Sequence, residues 1–132
     1  MNCIDEDKIM DIALNEAKKA MQEGEIPVGA VIVKDNEIIS FAHNQKEKKI
    51  DVSSHAEIEA IKIASKKLGR WDLSDCSLFV TLEPCLMCGG AIKQSRIKSI
   101  YYGAKDNLYG CESKYCLFSI KDNYKSPQIG RA

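Results

Sequence analysis

The feature of the sequence that most restricts its fold is the apolar run at residues 26–33, Ile-Pro-Val-Gly-Ala-Val-Ile-Val. The run is short and rich in β-branched residues, which is typical of a β-strand. Because it carries no polar side chain, such a strand is expected to be buried on both faces. The sequence therefore predicts a strand inside a sheet that helices cover on both sides.

The hydrophobic spacing on either side of this run predicts the covering helices. Before it, apolar residues recur at three- and four-residue intervals, as on one face of an amphipathic helix that Gly24 ends. After it, a second amphipathic segment is followed by Gly69 as a C-terminal cap. The predicted elements are a helix at 5–22, a hairpin of strands at 26–33 and 38–42, a polar loop at 43–53, a helix at 54–68, a strand at 77–81, a helix at 87–95 and a strand at 97–102.

The order of these elements predicts the fold class. Because the later strands alternate with helices, at least part of the sheet is expected to be parallel. We therefore expect an α/β protein with three layers, α/β/α, and a central mixed sheet. The chain of 132 residues has the length of one domain, and we predict that domain at residues 1–120, followed by an irregular C-terminal tail at 121–132.

Composition argues against several classes of protein. No apolar run reaches the ~20 residues that cross a bilayer, and the first residues are acidic where a signal peptide is basic. Six cysteines without a secretory signal favour thiols or metal ligands over disulfides. We thus expect a cytoplasmic protein without a membrane segment.

The charges cancel over the whole chain but are unevenly distributed. Nineteen basic and nineteen acidic residues give a formal net charge of zero. Acidic residues outnumber basic ones nine to four in residues 1–37, and basic residues outnumber acidic ones eight to three in residues 93–132. A local basic face for phosphate groups is one interpretation of this asymmetry, and an ordinary solvated surface is the other.

Two short motifs carry the candidate chemistry: His-Ala-Glu at 55–57 and, 26 residues later, Pro-Cys-Leu-Met-Cys. Each opens a predicted helix, and helix starts at one sheet edge are where open α/β folds place their sites. His55, Cys85 and Cys88 offer ligands that Zn²⁺ prefers, and three ligands leave a fourth position open, as in catalytic zinc sites. Glu57 points away from His55 on a helix, so it is better placed as a base than as a ligand.

Each part of this pattern also has a simpler interpretation. Ser54 and Glu57 match a capping box, in which the glutamate merely returns a hydrogen bond to the cap residue. A single C-x-x-C pair also occurs in redox proteins and in half of a structural zinc site. The remaining cysteines are expected to be free thiols, with a second metal site at the last two as an alternative; they are Cys3, Cys76, Cys111 and Cys116.

Taken together, the two motifs resemble those of the cytidine-deaminase-like superfamily of zinc enzymes. Several stretches look like the bacterial tRNA adenosine deaminases of that superfamily, and they lie at 26–31, 55–58, 80–92, 95–97 and 103–106. The resemblance covers roughly residues 5–106. It implies a cytidine-deaminase-like fold, a Zn²⁺ cofactor and a homodimer.

The resemblance also implies a reaction, the hydrolytic deamination of adenosine to inosine at the wobble position of a tRNA anticodon loop. Zinc-activated water would attack the ring carbon that carries the amine, while Glu57 moves a proton to the ring nitrogen and then to the leaving ammonia. Asn44 matches a position that hydrogen-bonds the nucleoside. By the same resemblance, Val28 and Ala30 line the base pocket, and the backbone at Pro84 approaches the reacting centre.

Two departures from the family pattern leave the substrate open. Asn44 is followed by Gln45 and Lys46 instead of Arg-Pro, and the tRNA-acting members normally continue into a further C-terminal helix. Lys46, Lys48 and Lys49 are candidates for phosphate contacts. The alternatives are a deaminase of a free nucleobase or nucleoside, with guanine or cytosine as substrate, and a non-catalytic subunit stabilised by zinc.

Overall fold

The computed structural model describes residues 5–122 and 124–131. Most elements lie within two residues of their predicted bounds. The helices are α1 (Glu6–Gln22), α2 (Lys46–Lys49), α3 (Ala56–Leu68) and α4 (Leu86–Gln94), with a 3₁₀ turn at Leu117–Ser119. The strands are β1 (Gly29–Lys34), β2 (Glu37–His43), β3 (Ser77–Leu82), β4 (Ser99–Ala104) and β5 (Gln128–Arg131).

The long helices begin and end where local chemistry favours it. The side chain of Asp5 accepts a hydrogen bond from the backbone N–H of Asp7 at 2.9 Å and caps the start of α1. Gly24 and Gly69 follow α1 and α3 with positive φ angles of 78° and 71°, which glycine adopts without steric cost. None of the helices in the described residues is long and apolar enough to cross a membrane.

The five strands form one mixed sheet in the order β2-β1-β3-β4-β5. β1 is antiparallel to both of its neighbours, whereas β3, β4 and β5 run parallel to one another. The α4 helix connects β3 to β4, as a parallel pair requires a crossover. The predicted mixed sheet is therefore confirmed.

Helices cover both faces of this sheet. On one face α1 packs against alternate residues of β1 and β3, with Val31 opposite Phe79 at the centre. On the other face α3 and α4 pack against the intervening residues, where Ile32 lies opposite Leu78. All four of these side chains are at most 3% exposed. The three-layer α/β/α prediction is confirmed.

The first strand begins three residues later than the sequence predicts. Proline at position 27 has no N–H to donate to a ladder, and Val28 N–H instead bonds to the carbonyl of Ile26 in a tight turn. The strand starts at Gly29, whose N–H bonds to the Thr81 hydroxyl at 3.1 Å. Ile26 is consequently 63% exposed, although its apolar side chain matches a buried strand.

Two segments predicted to be irregular contain regular structure. Residues 46–49 of the predicted loop form the short helix α2. The prediction of an irregular tail is wrong for Gln128–Arg131, which pairs in parallel with β4 as the edge strand β5. Such a short strand has too few residues to show a hydrophobic period. It forms because β4 offers a free edge and because Gly130 leaves room for the Tyr101 ring, with which a larger residue would overlap.

The packing of α1 on β1 gives a prediction for stability. A methyl group at Gly29 would overlap with the carbonyl of Ala13 and lie 2.8 Å from the amide nitrogen of Ala17, both fixed by the helix backbone. We expect Gly29→Ala to lower the free energy of unfolding by about 3 kcal/mol, measured by urea denaturation. Gly90→Ala is the matched control, because no atom outside its own stretch of helix backbone and its chain neighbours lies within 4 Å of the added methyl group. It should be neutral or stabilise α4 by up to ~1 kcal/mol. Equal losses in both variants would contradict this account.

Candidate active site

Two helix N-termini and the ends of two strands meet at one edge of the sheet. The N-caps of α3 and α4 are His55 and Cys85. β3 ends at this edge, and its parallel neighbour β4 ends there too. Because β1 is antiparallel to β3, its first residues lie at the same edge. The topology thus brings segments that are far apart in sequence into one place.

The predicted zinc ligands form a cluster at this edge. The ligand atoms of His55, Cys85 and Cys88 all lie within 4.8 Å of one another. Nδ1 of His55 is 3.7 Å from the Cys85 sulfur and 3.4 Å from the Cys88 sulfur. Ordinary zinc bond lengths at tetrahedral angles place a nitrogen and a sulfur ligand about 3.6 Å apart. The donor set and its spacing therefore fit a zinc ion.

Local hydrogen bonds favour the metal-binding form of one thiol. The side chain of Cys88 donates a hydrogen bond to Cys85, and backbone N–H groups at the start of α4 add to it, so that the pKa of Cys85 falls to about 5 despite partial burial. The positive end of the helix dipole acts in the same direction. The thiolate is the form that binds metal ions.

Glu57 lies beside this cluster and is almost completely buried, with 4% of its surface exposed. Burial disfavours its charged form and, together with the nearby Cys85 thiolate, raises the pKa of Glu57 to about 7. A carboxyl group of this kind exchanges a proton readily near neutral pH, as a general acid or base must. The chemistry of the residue thus suits proton transfer.

The capping-box interpretation of Glu57 is wrong. The N-cap of α3 is His55, one residue later than that pattern requires, and no side chain caps this helix end. Glu57 therefore occupies the second helical position, whereas a capping box needs the third. Helix capping therefore does not explain why the carboxyl group of Glu57 is buried.

A cavity of about 240 Å³ opens next to the cluster. Glu57, His55 and Cys85 contribute its polar wall, while Val28 and Leu82 belong to its apolar wall. Pockets for drug-sized ligands span ~300–1,000 Å³, so the size of this one suits a small molecule or a single ring system.

Asn44 also lines the cavity, directly after β2. Its side chain is 5% exposed, and its Oδ1 atom has no hydrogen-bond partner among the described residues. A buried acceptor without a partner is rare in proteins and calls for a specific explanation. The atom is available to a donor group of a ligand.

The structure separates the other predicted pocket residues. Val28 lines the cavity, but Ala30 does not. Each residue of a strand advances by ~3.3 Å, so Ala30 lies farther from the sheet edge at which the cavity opens. Ala30 lies in the core between Ala42 and Val80, so its predicted place in the pocket is wrong. The side chain of Pro84 is fully buried and does not line the cavity, although both of its chain neighbours do.

The three candidate lysines lie in different surroundings. Lys46 is exposed and lines the cavity. Lys49 forms an ion pair with Glu59 at 2.7 Å, so its charge is already compensated. The backbone N–H of Lys48 donates to Glu25 at 2.8 Å, which helps to hold α2 in place. Of the three, only Lys46 reaches the candidate site.

The sequence-based search for single site residues missed two acidic residues that line the cavity, Glu83 and Asp106. Glu83 directly precedes the Pro-Cys motif, and Asp106 ends the Gly-Ala-Lys-Asp stretch, so both belong to segments that carried the family resemblance. A single aspartate or glutamate in a sequence does not by itself indicate a functional site, because carboxylates are common on protein surfaces.

The remaining cysteines form no second metal site among the described residues, where one cluster of three possible ligands is found. Cys76 and Cys111 are buried free thiols, and Cys116 is an exposed one. Burial raises the pKa of Cys111 to about 12, which disfavours metal binding. Cys3 lies outside the described residues.

Comparison with known sequences places this arrangement in a family. The sequence profile of the MafB19-like deaminases matches residues 4–124. A tRNA-specific adenosine deaminase of Aquifex aeolicus is 50% identical over 101 residues, which are 76% of this chain and 67% of that protein. The protein of the same name from Bacillus subtilis is 48% identical over 102 residues, or 77% of this chain and 63% of that protein. The chain thus spans about two thirds of the length of these relatives.

Solved structures agree with this placement. A chain from studies of A-to-I editing by tRNA:A34 deaminases at the wobble position superimposes with a TM-score of 0.92 at 39% identity, covering 96% of this chain and 92% of that one. A guanine deaminase from Bacillus subtilis has a TM-score of 0.75 at 39% identity, with coverages of 77% and 66%.

The fold and these comparisons define the class of protein as a member of the cytidine-deaminase-like superfamily, as the motifs predicted. Within that class, the chain belongs to the MafB19-like deaminase family.

The ligand geometry gives a prediction for metal content. We expect one zinc ion per chain in the purified protein, measured by atomic emission. Cys88→Ser should lose most of it, because a neutral hydroxyl replaces a thiolate ligand. Cys116→Ser is the matched control, since this exposed thiol lies outside the cluster. Full zinc occupancy in Cys88→Ser would show that the ligand set is different.

Proposed function

We propose that this protein is a zinc-dependent deaminase that converts adenosine to inosine at the wobble position of a tRNA anticodon loop. The observation that carries the proposal is the buried carboxyl of Glu57 beside a three-ligand cluster, at the wall of a cavity for one small ring system. The tRNA part is supported by the relatives of 48–50% identity, which are named tRNA-specific adenosine deaminases.

The reaction replaces the exocyclic amine of the base with oxygen from water and releases ammonia. His55, Cys85 and Cys88 would hold the zinc ion, which supplies a Lewis acid that lowers the pKa of water. Glu57 would carry one proton of the water to the ring nitrogen, where the product keeps it, and the second proton, from the added hydroxyl, to the departing amine, which leaves as ammonia. Its raised pKa suits both steps, because the group must accept and release the proton in one turnover.

The other cavity residues would bind and orient the substrate. Asn44 would accept a hydrogen bond from the nucleoside through its unpartnered Oδ1 atom. Val28 and Leu82 would contact the faces of the base and exclude water from it. Burial of a base between apolar side chains strengthens the polar interactions at its edge, because the local dielectric constant falls.

The charge around the cavity bears on the nature of the substrate. Lys46 is exposed at the cavity wall, where it would contact a phosphate next to the target nucleotide. A free base has no phosphate, so this cation favours a nucleotide within RNA. Lys48 and Lys49 would contribute less, since Lys49 is already paired with Glu59.

Deamination of a free base, with guanine or cytosine as substrate, is the second candidate function. The similarity to a guanine deaminase at 39% identity supports it, because the same zinc site serves both reactions. A non-catalytic, zinc-stabilised subunit is a third possibility. The burial of Glu57 argues against it, since burying an ionisable carboxyl group costs free energy that a fold without a use for this group would not need to spend.

The proposal includes a homodimer in the cytoplasm, where tRNA is modified. A groove between α3 and α4 is lined by Trp71, Leu86 and Met87, whose side chains are 37–62% exposed. Clustered exposed apolar side chains are typical of protein interfaces. This groove is the surface on which we place the second copy.

The role of Glu57 can be tested by an isosteric change. We expect Glu57→Gln to keep its fold and its zinc but to lose ~10²–10⁴-fold in kcat on RNA, because the amide cannot transfer the proton. Glu59→Gln is the matched control, since Glu59 lies on the same helix, is paired with Lys49 and does not line the cavity. Turnover at the normal rate by folded Glu57→Gln protein would contradict the proton-transfer role.

The substrate can be tested by salt dependence. We expect an anticodon stem-loop RNA with a wobble adenosine to be deaminated faster than guanine, cytosine or free adenosine, with inosine and ammonia measured separately. Each phosphate contact to a single strand contributes about −0.7 to the slope of log affinity against log salt. Lys46→Gln should make this slope shallower by about 0.7. Lys49→Gln should change the slope less, and Lys67→Gln, at an exposed position of α3, should leave it unchanged. Rapid, salt-independent release of ammonia from guanine or cytosine without inosine formation would favour the second candidate function.

A further inference from the structure

The segment after β4 begins at the cavity wall and is here called the rim loop, residues 106–113. Its first residue, Asp106, lines the cavity. Leu108 and Tyr109, two and three residues further on, are 70% and 67% exposed. Adjacent large apolar side chains on a loop beside a candidate active site need a physical reason, because water disfavours their exposure.

The rim loop is held in place by the carboxylate of Glu83, which is 3% exposed. This group accepts hydrogen bonds from the backbone N–H groups of Asp106, Glu112 and Ser113 at 3.1, 3.0 and 2.7 Å, and from the Ser113 hydroxyl at 2.5 Å. Gly110 packs directly on the same carboxylate, where a side chain would overlap with it. Both ends of the loop are therefore fixed to a residue that itself lines the cavity.

A second carboxylate shapes the exposed part of the loop. Oδ1 of Asp106 accepts the backbone N–H groups of Leu108 at 3.0 Å and Tyr109 at 2.9 Å. The backbone of Tyr109 thus lies one hydrogen bond away from a residue of the cavity wall. A loop that is ordered before binding loses little conformational entropy when a ligand contacts it.

We infer that Tyr109 is a stacking platform for the nucleobase next to the target adenosine, presented by the rim loop and positioned through Glu83. This inference rests on the proposed RNA substrate. The cavity admits one ring system, so a neighbouring base in the strand must lie outside it, across its rim. Unstacked bases of single-stranded RNA bind by stacking on aromatic side chains, and an exposed tyrosine offers such a surface.

The charges near the loop fit RNA better than an acidic or apolar partner. Lys105 and Lys114 are exposed at the two ends of the loop, and Lys46 lies at the cavity wall. The carboxylates of Glu83 and Asp106 accept backbone N–H groups, which offset part of their negative charge. A phosphate backbone can therefore approach the aromatic ring without strong repulsion.

The test compares KM and kcat on the anticodon stem-loop RNA for four variants. Tyr109→Ala should raise KM by about tenfold, which is within the range for loss of one stacked base, with a smaller change in kcat. Tyr109→Phe should restore most of the affinity, because stacking needs the ring and not the hydroxyl. Tyr124→Ala is the matched control, a tyrosine 52% exposed that does not line the cavity, and should leave both constants unchanged. Glu83→Gln should raise KM as Tyr109→Ala does, since an amide cannot accept all four hydrogen bonds.

A change in the RNA separates stacking from a general structural effect. An abasic nucleotide next to the target adenosine, placed in turn on its 5′ and 3′ sides, removes the base but keeps the backbone. If Tyr109 stacks on one of these bases, removing that base should weaken binding by the wild type about as much as Tyr109→Ala weakens binding of the intact RNA. On the RNA that lacks this base, Tyr109→Ala should cause no further loss of affinity. The stacking role would be overturned if the effects of Tyr109→Ala and of the missing base added up on both abasic RNAs, or if Tyr109→Ala left KM unchanged. In either case, inosine formation by the wild type would still support the proposed function. Absence of inosine formation by the wild type would overturn both.

Discussion

The parallel pairing of β3 and β4 forces the chain to return across the sheet through α4, and the candidate site depends on this return. A crossover helix begins at the carboxyl edge of the strand before it, so the first turn of α4 brings Cys85 and Cys88 to that edge. The start of α3 reaches the same edge and adds His55 and Glu57. Two helix dipoles with their positive ends close together then favour thiolates there. Fold and site chemistry are thus consequences of one topology.

Burial decides how the residues at this edge differ in chemistry. Glu57 is enclosed with few partners, so its pKa rises to about 7 and the group can exchange a proton. Glu83 is buried to a similar extent, but four hydrogen-bond donors surround its carboxylate and lower its pKa. One carboxyl is therefore suited to catalysis and the other to holding a loop. Two chemically identical side chains thus acquire different roles from their surroundings.

The three candidate zinc ligands cannot distinguish RNA from a free base, because deamination of either substrate would need the same ligands and proton carrier. Discrimination must come from groups around the mouth of the cavity, where a polynucleotide has phosphates and neighbouring bases and a free base has none. We propose Lys46, at the cavity wall, and Tyr109, exposed on the rim loop, as such groups. Lys46 begins the short helix α2, and Tyr109 lies in a loop. Neither belongs to the central strands or to the long helices that cover them, so sequence can change there without disturbing the three layers.

The sequence by itself determined the layered fold and the identity of the chemical groups. Hydrophobic periodicity is a local property, so the α1 helix and the buried part of β1 could be predicted from it. The motifs around His55 and Cys85 predicted a zinc site, and the structure brings their candidate ligands together. Only the tertiary structure decided that Ala30 lies in the core, that β5 pairs with β4, and that Glu83 binds the rim loop. These facts depend on contacts between residues distant in sequence, such as Glu83 and Glu112. No local pattern encodes such contacts, because they form only when the sheet has brought the segments together.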